Sequence, residues 1–151
     1  MRRVLIIEDD KIKIEKLLEF FVDCEVSVLV SYHSGLKEVI QNAASYDFLI
    51  LDMTIPIWDK ENSDLGGDTE QFGGQTIMME MKRRKKTLPT IVVTMFDVFP
   101  TPTGTQTFDE INNLFSLKFP DFYLGAVFYS ASDETWKVKL NHILTNLQSN
   151  G

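Results

Sequence analysis

The sequence predicts an α/β fold: a doubly wound sheet of five parallel strands with helices on both faces. Three observations predict it. Short apolar runs alternate with segments of helical periodicity along the whole chain. The runs Leu49–Leu51 and Ile91–Val93 are apolar throughout and lack the alternation of a half-exposed sheet, so helices must cover both sides. A length of 151 residues with 44% hydrophobic content fills one core and excludes two large domains.

Each element follows from its residues. Val4–Ile7 is a short, largely β-branched run that predicts the first strand. Lys11 to Val22 then sets Ile12, Ile14, Leu17, Leu18, Phe21 and Val22 at broadly helical spacing, which predicts a helix after an acidic turn. Val26 to Val30 reads as a strand, Ser34 to Ala44 as a helix burying Leu36, Val39 and Ile40, and Phe48–Leu51 as the third strand. The second half continues with helix Gly74 to Lys86, strand Thr90 to Thr94, helix Thr107 to Phe119, strand Ala126 to Tyr129 and helix Glu134 to Leu147.

Two segments interrupt the rhythm and read as long loops. Ile57 to Gly73 is rich in Asp, Glu and Gly, and Phe96 to Gln106 carries Pro100, Pro102 and Gly104. Long loops in compact domains are usually functional, so 57–73 is a candidate lid or docking surface, with a tolerated surface insertion as the plainer alternative. The basic run Lys82–Lys86 falls at a predicted helix end, where cations oppose the macrodipole; a solvated helix end is favoured over a partner-binding patch.

Composition excludes several classes. Acidic residues outnumber basic ones 22 to 15, a formal charge of −7, which repels a nucleic-acid backbone. The single cysteine, Cys24, cannot form an intramolecular disulfide, which fits a reducing cytoplasm. His33 and His142 stand apart without zinc-ligand spacing. The apolar run after Arg2 and Arg3 stops at Glu8, too short for a signal peptide or a membrane span.

In a parallel sheet, residues that follow the apolar runs gather on one edge, where ligands bind. Here those residues are Glu8, Asp9 and Asp10 after the first strand, Asp52 and Thr54 after the third, Thr94 at the end of the fourth, and Ser130 and Ser132 after the fifth. If the strand order is 2-1-3-4-5, Glu8 and Asp9 lie beside Asp52, and three carboxylates share one small site. Such crowding calls for a compensating cation, and Mg²⁺, a hard ion with oxygen ligands, is the expected one. Glu8, Asp9 and Asp10 could instead merely favour the first helix's positive end, but that does not explain Asp52 at the end of a buried strand.

Arg3 to Glu8 with Asp9–Asp10, and Asp47 to Leu51 followed by Asp52–Met53–Thr54–Ile55–Pro56, resemble the receiver domain of bacterial two-component response regulators over nearly the whole chain. The resemblance implies a single flavodoxin-like domain over residues 1–151. It implies Asp52 as phosphoacceptor, Glu8 and Asp9 with Asp52 as the Mg²⁺-binding acids, and the Thr54 backbone carbonyl as a further ligand. It also implies Thr94 as a switch hydroxyl and Tyr129 as a switch aromatic; an ordinary core ring is the alternative for Tyr129.

The chain also departs from that family. Receivers usually carry a lysine and then a proline just after the fifth strand, and the lysine pairs with the phosphoryl oxygens. Aligning Tyr129 with the switch aromatic puts Ser132 and Asp133 there instead. Lys137 and Lys139 lie at least a turn further on, inside the predicted last helix. The stretch Phe108 to Phe122 carries a heavy apolar load, read as extra core beneath a longer helix.

The expected function is that of a stand-alone, atypical receiver in a phosphorelay. It would accept phosphoryl at Asp52 with Mg²⁺ and act through protein–protein contacts. The alternative is a degenerate pseudo-receiver that works as a phosphorylation-independent interaction module. No enzyme activity is expected beyond slow self-phosphorylation and dephosphorylation. An aspartate-nucleophile phosphatase is disfavoured, because Asp52–Met53–Thr54 lacks a second aspartate two positions on. A dinucleotide cofactor is excluded by Glu8–Asp9–Asp10, which offers no glycine fingerprint. Expected partners are a sensor histidine kinase or phosphotransfer protein and an output protein, with a homodimer compatible and neither nucleic acid nor membrane involved.

Overall fold

The structure, a computed structural model, describes residues 1–56, 69–70 and 73–150. Strands β1 (Arg3–Ile7), β2 (Glu25–Leu29), β3 (Phe48–Leu51), β6 (Thr90–Thr94) and β9 (Tyr123–Phe128) form one sheet in the order β2-β1-β3-β6-β9, every pair parallel. Taken as the five strands of the sheet, this is the 2-1-3-4-5 order expected from the sequence.

Alternation along the strands splits the interior into two cores. Leu5, Ile7, Leu49, Leu51 and Val92 pack on one face against Val39 of α2 (Tyr32–Asn42), Ile77 and Met81 of α3 (Gly73–Arg84), and Ile111 and Phe115 of α4 (Phe108–Lys118). Val4, Ile6, Ile50, Val93 and Val127 face the other way, against Leu17 of α1 (Lys11–Phe20) and Trp136 and Leu140 of α5 (Thr135–Asn150). Helices therefore cover both sides, as the unbroken apolar strands require.

The ends of the helices are set by local chemistry. Asp10 caps α1 by accepting from Lys13 N, and Ser31 caps α2 by accepting from Ser34 N, so α2 begins earlier than the Ser34 read from periodicity. Thr107 and Glu110 form a reciprocal capping box on α4. In the basic run, Arg83 and Arg84 pair with Glu80, and Lys82 Nζ donates to the Lys118 carbonyl at 3.0 Å, which supports the helix-end reading. Ile111, Phe115, Phe119 and Phe122 are buried, so most of the apolar stretch around α4 is core, while Leu117 is exposed.

Three expectations need correction. The segment Phe96–Gln106 is not a loop but mostly a hairpin, β7 (Val98–Thr101) with β8 (Gly104–Thr107), closed around Pro102–Thr103. Proline and glycine do not exclude such a ribbon. In a two-stranded ribbon Pro100 removes no sheet hydrogen bond, and Gly104 supplies the positive φ that the turn takes. Phe99 anchors the hairpin in the core.

The second correction concerns 57–73. Thr69–Glu70 (β5) pairs antiparallel with Ile55–Pro56 (β4), and Gly73 opens α3, so the segment is tied down at its exits. The lid or docking role proposed for 57–73 otherwise lies outside the described residues. The third concerns α1, which ends at Phe20 rather than Val22. Leu17 and Phe21 are buried, but Ile12, Leu18 and Val22 are exposed and Ile14 is half-buried. The buried stripe is Lys13–Leu17–Phe21, spaced by four. Among the described residues no helix is long and apolar enough to cross a membrane.

Candidate functional site: an acidic strand edge closed by a lysine

Parallel register builds the site. Ile7 pairs with Leu51, and Leu51 with Val92, so the next residues of three adjacent strands, Glu8, Asp52 and Val93, come side by side. The backbone continues this line: Asp52 N donates to Ile7 O at 3.1 Å and Glu8 N to Leu29 O at 3.0 Å. Glu8 and Asp52 are buried, while Asp9 is exposed. One carboxylate oxygen from each of Glu8, Asp9 and Asp52 lies within 4.8 Å of the others. The three acids drawn together from sequence are thus neighbours.

Each carboxylate is held. Glu8 Oε2 accepts from the N–H groups of Asp9 and Asp10, both at 3.1 Å, and Asp52 Oδ1 accepts from Met53 N at 2.8 Å. The backbone under Asp52 is fixed by Gly74 at the start of α3. Gly74 N donates to Met53 O at 3.1 Å, and a Cβ at this position would sit 2.5 Å from the Asp52 carbonyl oxygen. Only a glycine lets α3 approach the strand end this closely.

A residue absent from the sequence-based site lies at its centre. Lys13 is fully buried, and its Nζ stands 2.5 Å from Glu8 Oε1, 3.4 Å from Asp52 Oδ1 and 2.6 Å from the Val93 carbonyl oxygen. Three donors thus meet three acceptors contributed by β1, β3 and β6. The signal was present in the i, i+4, i+8 spacing of Lys13, Leu17 and Phe21. It was obscured by Ile12 and Ile14, the apolar residues on either side.

Burial dominates the electrostatics. It pushes the Glu8 carboxyl up to about 7, with the Lys13 charge opposing and the Asp52 charge adding to the rise. Asp52 is also raised, first by burial, with Lys13 again opposing. Burial and the neighbouring Glu8 charge raise Asp9.

Thr94 is buried at the end of β6, where its Oγ1 accepts from Phe96 N at 3.2 Å. Tyr129 follows β9 directly. Its N–H donates to Thr94 O at 2.8 Å, and its buried ring lies 5.2 Å from that of Trp136. Thr54 sits half-buried two residues beyond Asp52. Where a lysine would follow the last strand, Ser130 and Ser132 place their hydroxyls 2.8 Å apart and Asp133 accepts from Thr135 N. Lys137 is engaged elsewhere, with Glu134 at 2.8 Å and over the Trp136 ring.

The donor set fits a hard divalent ion in kind and spacing: three carboxylates, oxygen only. Lys13 already engages two of the three.

No protein-family model matches the chain. It is similar to the Detocs response regulatory protein DtcB of Enterobacter cloacae (strain JD6301), 29% identical over 149 residues, or 95% of this chain and 99% of that protein. An uncharacterized protein, y4jR, of Sinorhizobium fredii is 26% identical over 96% of this chain and 98% of its own. Among solved structures, a response regulator receiver domain protein from Clostridium thermocellum covers 100% of both chains with a TM-score of 0.59 and 18% identity. The signal receiver domain of a Luxo repressor protein from Vibrio parahaemolyticus gives 0.62 at 13% identity, covering 99% and 94%. The response regulator TrrA from Thermotoga maritima, in complex with Mg²⁺-BeF, gives 0.55 at 22%, covering 95% and 99%.

Proposed function

From the fold of a response regulator receiver domain, which this chain has, we propose that the protein is an atypical phosphorelay receiver whose phosphoacceptor is Asp52. The observation that carries the reading is the position of Asp52. It is a buried carboxylate at the carboxyl end of the central strand, beside a second buried acid and an ammonium.

The chemistry is nucleophilic. A carboxylate oxygen of Asp52 attacks the phosphorus of a phosphohistidine or a small phosphoryl donor. The bond to the leaving group breaks, its electron pair stays with the leaving nitrogen or oxygen, any proton that group then takes comes from solvent, and an acyl phosphate forms. Glu8, Asp9, Asp52 and the Thr54 carbonyl are the groups that would hold Mg²⁺, which when bound offsets charge on the transferring oxygens. The Thr94 hydroxyl donates to the new phosphoryl group, and its backbone link to Tyr129 passes the change to the end of β9. The output is protein–protein contact, with a sensor kinase or phosphotransfer protein upstream.

A specific observation favours a second reading. The ion pair of Lys13 with Glu8 and Asp52 and the serines after β9 suit a module whose contacts need no phosphorylation. Incubation with acetyl phosphate and Mg²⁺, followed by intact mass, separates the two. The phosphorelay reading expects one added phosphoryl in the wild type and none in Asp52→Ala. Equal masses in both leave the interaction module.

A further inference from the structure

Lys13 is among the largest fully buried side chains of the described residues, and the one charged residue in that group. An ammonium taken out of water is costly unless its partners and geometry compensate. Its three acceptors come from three neighbouring strands and stand on one register line. The lysine stem runs along the α1 face that buries Leu17 and Phe21, so the head group is delivered by a rigid helix.

The charge balance then decides what else can enter. Glu8 and Asp52 carry two negative charges when ionised, and Lys13 supplies one positive charge between them. A divalent ion drawing on Glu8, Asp9 and Asp52 needs carboxylate groups that face Nζ. Two cations held this close in a buried site repel strongly. Lys137 and Lys16 are paired elsewhere, with Glu134 at 2.8 Å and Glu19 at 3.7 Å.

We infer that Lys13 is a cation built into the acidic site, a positioning residue that competes with a divalent metal ion for Glu8 and Asp52. The inference rests on the acidic-site reading above but not on phosphoryl transfer to Asp52. A chain that never takes a phosphoryl group can still show the competition.

The test is calorimetric titration of Mg²⁺ and Mn²⁺ into the full chain, with thermal melts in each metal. Lys13→Met keeps an apolar stem and removes the charge; Lys13→Arg keeps the charge. Lys13→Met is expected to bind either ion at least about tenfold more tightly than the wild type, and its Tm should rise with added metal more than the wild type's. Lys13→Arg should track the wild type, and adding Asp52→Asn to Lys13→Met should abolish the gain. Equal or weaker binding by Lys13→Met overturns the inference. If Lys13→Met does not fold alone, recovery of its circular dichroism on adding Mg²⁺ supports the competition. Failure of both Lys13→Met and Lys13→Gln to fold with or without metal counts against it, because the ion then cannot replace the ammonium. The acetyl phosphate assay is scored separately, so either reading can fail alone.

Discussion

Lys13 and Val93, 80 positions apart in the chain, are joined by a hydrogen bond of 2.6 Å from the lysine ammonium to the valine carbonyl. That bond ties α1 to the end of β6, one residue before Thr94. The same nitrogen reaches Glu8 and Asp52, so one side chain clasps the ends of three strands.

Removing the clasp leaves two buried carboxylates with backbone N–H partners but no cation between them. Lys13→Ala is expected to lose about 3–5 kcal/mol in equilibrium urea unfolding, as when one member of a buried ion pair is deleted. Adding Glu8→Gln should recover part of that loss, because a neutral amide no longer repels Asp52. A loss in Lys13→Ala no greater than that of an exposed lysine would refute the picture.

Gly74→Ala tests the seat of Asp52. A methyl at that position meets the Asp52 carbonyl oxygen at 2.5 Å, and backbone cannot swing aside as a side chain can. The expected cost is about 1–3 kcal/mol, with displaced amide resonances at Asp52 and Met53. Unchanged spectra around Asp52 would show that α3 does not set the acid's position.

Helix α4 offers a paired test of its apolar load. Phe115 is fully buried against Phe119 and Tyr123, whereas Leu117 is 83% exposed. Phe115→Ala should cost about 3–5 kcal/mol and Leu117→Ala no more than about 0.5. Comparable losses at the two positions would mean that the helix is rotated from the face described.

Tyr123 makes a pH prediction. Burial pushes its phenol well up, and its hydroxyl donates to Asn112 Oδ1 at 2.6 Å. A native pKa above the unfolded one gives stability that is complete below about pH 10 and is lost as pH climbs toward the native value. Alkaline unfolding, followed by tyrosine absorbance and circular dichroism together, should move to higher pH in Tyr123→Phe. Identical alkaline midpoints would argue against the assignment.

Much of this architecture was legible in the residues. Val4–Ile7, Phe48–Leu51 and Thr90–Thr94 announce buried parallel strands, and the acids just beyond them mark the binding edge. Their adjacency follows from topology, because a register set by Ile7 and Leu51 carries Glu8 to Asp52. What stayed hidden depends on tertiary context. A lysine among isoleucines reads as solvated until a helix is rotated so that Lys13 faces the sheet. Proline and glycine between Phe96 and Gln106 read as irregular chain until Phe99 is seen buried beneath a ribbon.

The pairing of Ile55–Pro56 with Thr69–Glu70 brings the two ends of the intervening segment side by side. The entropy of closing a segment grows only slowly with its length, so inserts of different size can be spliced there at similar cost. The start of α3 and the seat of Asp52 would keep their alignment. A graftable port thus stands beside the acidic edge, and a reporter peptide or binding epitope could be installed there without rebuilding the sheet.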